Sequence, residues 1–482
     1  MDVNTNPNYA TSDTPEMAFT SAVGSTASVI GGQYNIMGCI WCQYWTQSNA
    51  ANQYKDIDRY NMTDASFNNQ FTRIYSGALK DYKYAEENAA ASNNWSIYLM
   101  STLMEAYTYQ MMADLYDQIP YKEACLGDSG ILHPHYDKGQ AVYDDLILKI
   151  NNALAKPLNK LSSTQAAQDL LFDGKMTKWL QFANTLKLKI YLRQLYVTNR
   201  KTIVENGIKA LFQDPNGFLD SDAALTQFSD EASKSNPTYE DNVRQLNVAT
   251  NLRASSTLLF YLDSTKDTRL TYFFSPGSKG DYRALGQGDY AVASSIIDPT
   301  IISTANMSAT DPVYFISKAE SYFLQAEAAA YGKEMGWNLQ GADDQKAYEA
   351  GVAAAFDKYG LDATSFITTG GVYEYPSAGN FEAKQKAIIT QKWLSMVGSE
   401  GMEMVFEHNR THYPAENFNV YSMVQHTNQN PVYVAGTFVK PASAVINSFP
   451  QRLLFPQYEH ERNPNCPADV PITTKVWWAT KP

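Results

Sequence analysis

The 482-residue chain is long enough for more than one core, but a helical array of this length also folds as one unit, so length leaves the domain count open. With 44% hydrophobic and 18% charged residues it lies outside the disordered regime, and a net charge of -12 excludes a phosphate-backbone partner, which needs a basic footprint. No apolar run reaches the length of a membrane span, and the first residues carry neither the charged region nor the apolar core of a signal peptide.

Aromatic residues make up 13%, with 33 tyrosines and 8 tryptophans. Helix packing accounts for most such rings. A flat apolar face with a polar edge also suits stacking on a sugar ring, and rings outside helical periodicity count toward that reading.

In chain order, Thr14-Pro15-Glu16 predicts a helix start with Pro at the first position, followed by Met17, Phe19, Ala22 and Val23 on one face. From Gly31 to Tyr60 the pattern breaks. Trp41, Tyr44, Trp45, Tyr54 and Tyr60 are interleaved there with Gln43, Gln47, Asn49, Asn52 and Gln53, a mix of flat faces and amides that suits carbohydrate. Trp41, Trp45, Tyr54 and Tyr60 form the first candidate site. Within this stretch Cys39-Ile40-Trp41-Cys42 has the C-x-x-C spacing of a redox pair or half a zinc site. No second such pair exists and His133 and His135 lack a zinc spacing, so the cysteines read as buried thiols or an incidental disulfide.

Ser66 to Asn88, Asn94 to Asp117 and Gly139 to Leu158 each predict a helix, as does Lys178 to Arg193 with Trp179, Phe182, Ala183, Leu186 and Ile190 inward. Residues 206–310 lose helical periodicity. Asp214-Pro215-Asn216-Gly217, Ser275-Pro276-Gly277 and Gly286-Gln287-Gly288 predict loops and short strands. Tyr239, Tyr272, Phe273, Tyr282 and Tyr290 stand on this irregular backbone, where packing partners are fewer. Tyr239, Tyr272, Tyr282 and Tyr290 form the second candidate site.

Pro312 to Gly332 reads as one helix bracketed by a breaker at each end, with Ile316, Ala319, Phe323, Ala326 and Ala330 on one face. Asp344 to Tyr359 supplies its partner through Ala347, Tyr348, Gly351, Val352, Ala355 and Phe356, and Gly360 ends it. Such small-residue hairpins stack into tetratricopeptide-like arrays. Ala383 to Val397 predicts a further helix.

The run from Pro312 to Gly332 with Tyr348, Gly351-Val352 and Gly360 resembles the signature of the SusD/RagB family of lipid-anchored glycan-binding proteins. Other segments resemble the family in the same order: Leu115 to Ala124, with Asp117 and Gln118 where the family often has Gly and Asp; Lys178 to Arg193; Lys266-Asp267-Thr268-Arg269-Leu270, with Thr268 for proline; Gln391-Lys392-Trp393; Glu403, Arg410, Thr411, Tyr413 and Pro414; and Phe449 to Asn465, with Phe455 for tyrosine. Asp2 to Asn8 resembles the segment after the family's lipidated cysteine.

The resemblance implies a mainly α fold, a tetratricopeptide-like hairpin array over about 14–205 and 311–400, a loop-rich ligand-binding insertion over about 206–310 and a closing segment over 401–482. It implies an outer-membrane, cell-surface lipoprotein, its lipid anchor lying ahead of this sequence. Such a protein delivers captured glycan to a SusC-like TonB-dependent barrel. Capture of a peptide or glycopeptide by the same fold is the alternative, and a glycan hydrolase a second one.

For a hydrolase, Glu320 and Glu327 invite attention, but seven residues along one helix set them roughly 10 Å apart and pointing the same way, a poor clamp around a glycosidic bond. His408 and His412 share a four-residue step without the Glu of a His-Glu-x-x-His site, and no nucleophile elbow or phosphate loop occurs. The residues nominate no catalytic set, no cofactor and no metal ligands.

Overall fold

The computed structural model describes residues 14–246, 250–421 and 434–482. The expectation for Asp2 to Asn8 lies outside them.

The fold is mainly α, as expected. The first helix, Pro15–Ile30, begins where Thr14 Oγ1 accepts the Met17 N–H. It packs on Lys80–Ala91, which packs on Trp95–Tyr116, which in turn meets Gly139–Leu154. The helix expected from Ser66 to Asn88 is divided. An α-helical turn, Asn68–Arg73, passes into a π-helical stretch, Ile74–Leu79, before the regular Lys80–Ala91.

The hairpin in the second half is present with a changed start. Val313–Ile316 is a strand paired antiparallel with Ala223–Leu225, and the helix runs Lys318–Glu334. Val-Tyr-Phe-Ile favours a buried strand, and Ser317, whose side chain accepts the Glu320 N–H at 3.2 Å, sets the helix start. The helix also continues past Gly332. Its partner, Asp344–Asp357, comes close because a Cβ on Gly351 would stand 2.7 Å from the Phe323 ring.

Residues 206–310 are not wholly irregular. Lys201–Gln213 and Ser256–Thr265 are helices. Three short strands of this region join Trp45–Gln47 in an antiparallel sheet of the order Trp45–Gln47, Leu252–Ala254, Thr304–Ala305, Phe274–Ser275, with Trp45 opposite Ala254 and Phe274 opposite Ala305. One hydrophobic cluster runs from Ala18 to Ala479 and takes in Leu258 and Phe274 of the 206–310 region, while Leu285, Ile297 and Ile302 of that region form a small cluster of their own.

Charge is also buried between the helices. Arg193 contacts Asp114 (3.2 Å), Glu403 (2.7 Å) and Glu407 (2.5 Å); Lys189 and Lys392 both contact Glu320, at 3.2 and 3.1 Å. Burial would raise the Glu407 carboxyl, but Arg410, Lys392 and Arg193 outweigh it and hold it well below the usual range. Asp114 is pushed up to about 6, by burial first, against Arg193.

Candidate functional site

The short antiparallel sheet contributes to an aromatic cleft. Trp45 begins its first strand; Tyr272 and Phe273 immediately precede Phe274–Ser275; Asn306, Met307 and Ser308 follow Thr304–Ala305. Trp45 and Tyr272 thus come from the two outer strands of the sheet and their flanks, more than two hundred positions apart in sequence, and both border one cleft. Tyr314 enters from the strand Val313–Ile316, Lys358 and Tyr359 from the end of Asp344–Asp357, and Gly398 and Ser399 from the turn after Phe381–Ser395. The cleft they line has a volume of about 390 Å³, within the range of small-ligand pockets.

Its rings are fixed relative to one another. Tyr272 and Tyr359 have centroids 5.3 Å apart with planes at 47°, and Phe273 meets Tyr359 edge-on at 5.5 Å. Tyr272 is 45% exposed, which leaves ring surface for a ligand. The Lys358 ammonium lies 4.2 Å from the Tyr314 ring centre and reaches Ser399 Oγ at 3.3 Å. Burial alone would lower it; Tyr359, Tyr314 and Glu400 shift it upward on balance, so it stays charged.

The polar wall is braced by backbone. Asn306 Nδ2 donates to the Tyr272 carbonyl (3.1 Å) and Asn236 Nδ2 to the Asp311 carbonyl (2.9 Å), while Asp311 Oδ2 accepts the Ser308 N–H (2.6 Å). Burial pushes the Asp311 carboxyl up, against that hydrogen bond and Lys358. Thr238 Oγ1 donates to the Gly31 carbonyl at 2.6 Å, pinning the wall to the junction of the first two helices. A flat face, an ammonium, amides and hydroxyls converge here. That set can stack on and hydrogen-bond a polyhydroxylated ligand.

The rings of the first candidate cluster lie largely in the core. Trp41, Tyr54 and Tyr60 are buried at 1%, 4% and 1% exposure; Trp41 Nε1 donates to the Ile57 carbonyl at 3.1 Å and its ring meets Tyr60 edge-on. The break in periodicity after Gly31 arises because the helix Gln33–Trp41 is buried on nearly every side and shows no polar face. Trp45 is buried as well, yet its ring borders the cleft next to Gly398.

Beneath this cluster Asp58 is fully buried and accepts from Thr46 Oγ1 (2.8 Å), Gln287 Nε2 (2.5 Å) and the Gln47 and Gly288 amides (both 3.2 Å). Burial still pushes its carboxyl up to about 7, and that of Asp289 likewise to about 7.

Of the second cluster only Tyr272 lines the cleft. Tyr239 is half-buried below the Arg244 guanidinium, 5.4 Å from its ring centre; Tyr282 is half-buried against the core, and Tyr290 is half-buried outside the lining. Sequence reasoning missed Tyr314, Lys358 and Tyr359, because each sits at the end of a regular element and reads as packing. The one available signal was position: Tyr359 directly precedes Gly360, whose φ of 67° ends the helix and leaves the ring at the rim.

Glu320 and Glu327 are enclosed by cations. Glu320 faces Lys189 and Lys392, and Glu327 accepts from Arg410 at 2.7 and 2.8 Å. Cys39 and Cys42 are free buried thiols, both pushed up by burial. Among the described residues no group of three or more His, Cys, Asp or Glu is placed to hold a metal ion, and no helix is long and apolar enough to cross a membrane.

A family model named SusD-like, described as starch-binding and associating with the outer membrane, matches residues 7–433. Among solved structures the chain is similar to a SusD homologue from Bacteroides uniformis (21% identity, TM-score 0.72, covering 96% of this chain and 99% of the other). It is likewise similar to a chitin-binding SusD homologue from Flavobacterium johnsoniae (19%, 0.74, 96% and 98%) and to a SusD-like protein from Bacteroides thetaiotaomicron (20%, 0.72, 97% and 99%). At these identities the likeness is one of fold. No curated protein matches the sequence.

Proposed function

We propose, from the premise that this chain belongs to the SusD-like family of starch-binding proteins that associate with the outer membrane, that it captures a glycan in the Tyr272–Tyr359 cleft and passes it uncut to a TonB-dependent outer-membrane barrel. The observation carrying the reading is the juxtaposition of Tyr272 and Tyr359 with the Lys358 ammonium and the Asn236 and Asn306 amides in one cleft of about 390 Å³. Ring stacking holds the chain, and the Lys358 ammonium, fixed over Tyr314, selects among hydroxyls. The ligand-bearing part of the insertion is its 272–308 edge, completed by Trp45, Tyr314 and Tyr359 from outside the insertion. Because the Flavobacterium homologue is chitin-binding, chitin joins starch in the panel to be tested.

The test is electrophoresis through gels containing starch, glycol chitin or other soluble polysaccharides. Tyr272→Ala and Tyr359→Ala should each lose most of the retardation seen with the parent protein, with an unchanged thermal midpoint. Tyr282→Ala and Tyr290→Ala are the controls outside the cleft and should migrate as the parent does. Equal retardation of all four variants and the parent would remove this cleft from the proposal.

A further inference from the structure

A second, larger cleft lies on the other side of the segment that walls the first. Asn236 and Thr238 face the aromatic cleft, whereas Asp241 and Gln245, one and two turns on, line a hollow of about 820 Å³. Thr238 holds the Gly31 carbonyl and Gln33 Nε2 donates to Asp241 Oδ2 at 2.9 Å, so the same segment is pinned to one helix junction on both its faces. The two clefts therefore share a wall.

The lining of the second hollow is chemically distinct. It carries the side chains of Gln33, Asn69, Gln70, Arg73 and Gln245, several hydroxyls, and the 41%-exposed Tyr458 as its aromatic ring. Asn68 also lines it, and its buried Oδ1 has no hydrogen-bond partner. Both π-helical stretches of the described residues, Ile74–Leu79 and Glu240–Gln245, border this hollow, through Ser76 and Gly77 on one side and Asp241 and Gln245 on the other. A π-helical insertion costs hydrogen-bond geometry and recurs at functional sites. Two of them facing one cavity is an arrangement that packing alone does not require.

Amides and hydroxyls with little apolar surface, one exposed ring and the opposed charges of Arg73 and Asp241, which offset each other, match a neutral, hydroxyl-rich chain better than an apolar or strongly charged one. We infer that this hollow is a second saccharide subsite, engaging a neutral stretch of the same glycan whose neighbouring stretch occupies the aromatic cleft. The inference rests on the capture reading above. Occupancy of both clefts by one polymer raises the effective concentration of the second contact, so long chains gain affinity that short ones lack.

Calorimetric titration with a malto- and a chito-oligosaccharide series, from disaccharide to octasaccharide, tests it. In the parent protein affinity should rise with length, and Asn69→Ala combined with Gln245→Ala, both at exposed positions, should lower affinity for the octasaccharide about tenfold while leaving the disaccharide unchanged. Gln70→Ala should reproduce the effect in part. If Tyr272→Ala abolishes binding while the Asn69/Gln245 variant matches the parent at every length, the second subsite is overturned and the aromatic cleft stands. If no member of either series binds the parent protein, the capture reading falls and this inference with it.

Discussion

Arg410 grips Glu327 with both arms of its guanidinium, Nη1 to Oε1 at 2.8 Å and Nη2 to Oε2 at 2.7 Å, and neither side chain is more than 1% exposed. The pair ties the helix Lys318–Glu334 to the helix Gly401–Thr411, and Glu407 completes the charge balance on Arg410. Glu327 is thus a strut of the array. Glu327→Ala leaves a buried guanidinium half-paired and should destabilise the protein by about 3–5 kcal/mol, read from denaturant unfolding. A loss under about 1 kcal/mol would mean that the charge relaxes to water, contrary to its enclosure.

The pH dependence of stability has a definite sign at the Asp58 and Asp289 pair. Both carboxyls rise from an ordinary 3.8 to about 7 in the folded protein, chiefly by burial. Between those limits the folded state holds protons that the unfolded state has released, so this contribution falls as pH rises from about 4 to about 7. Asp289, whose Oδ2 lacks a partner, is the member to remove. Asp289→Asn should raise the thermal midpoint at about pH 8 and leave it nearly unchanged at about pH 4. An equal shift at both pH values would contradict the assignment.

Close approach of the helices Gln33–Trp41 and Gly401–Thr411 depends on two glycines. A Cβ on Gly38 would overlap the Gly401 backbone, and one on Gly401 would stand 2.6 Å from the Cys39 amide nitrogen. Both obstacles are backbone and cannot rotate away. Gly38→Ala should therefore cost about 1–3 kcal/mol in urea unfolding, despite the higher helix propensity of alanine.

The burial of Trp41 separates stability from binding. Trp41→Ala should lose about 3–5 kcal/mol of stability yet keep polysaccharide retardation at temperatures where the variant is folded. Lys358→Met does the reverse: it should weaken glycan retention several-fold with little change in the midpoint, because the ammonium lies over Tyr314 at the cleft. Retention by the parent protein should change less than about twofold between low and physiological salt, since stacking and neutral hydrogen bonds dominate. A steep salt dependence would point to a charged ligand.

Helix positions and helix pairing are written in local signals. Small residues at helical spacing and breakers at the ends act over a few neighbours, so Asp344–Asp357, Trp95–Tyr116 and Met176–Arg193 were legible to within a few residues, as were the body of Lys318–Glu334 and the family likeness. The change from helix to strand at Val313–Ile316 was misjudged, because the strand owes its form to pairing with Ala223–Leu225. Which rings face outward was settled by long-range packing alone. Trp41, Tyr54 and Tyr272 look alike as letters, but the first two are enclosed by segments remote in sequence while strand pairing from Trp45 to Ala305 carries Tyr272 to an open edge opposite Tyr359. Exposure depends on what the rest of the chain lays over a residue, and no local pattern records it.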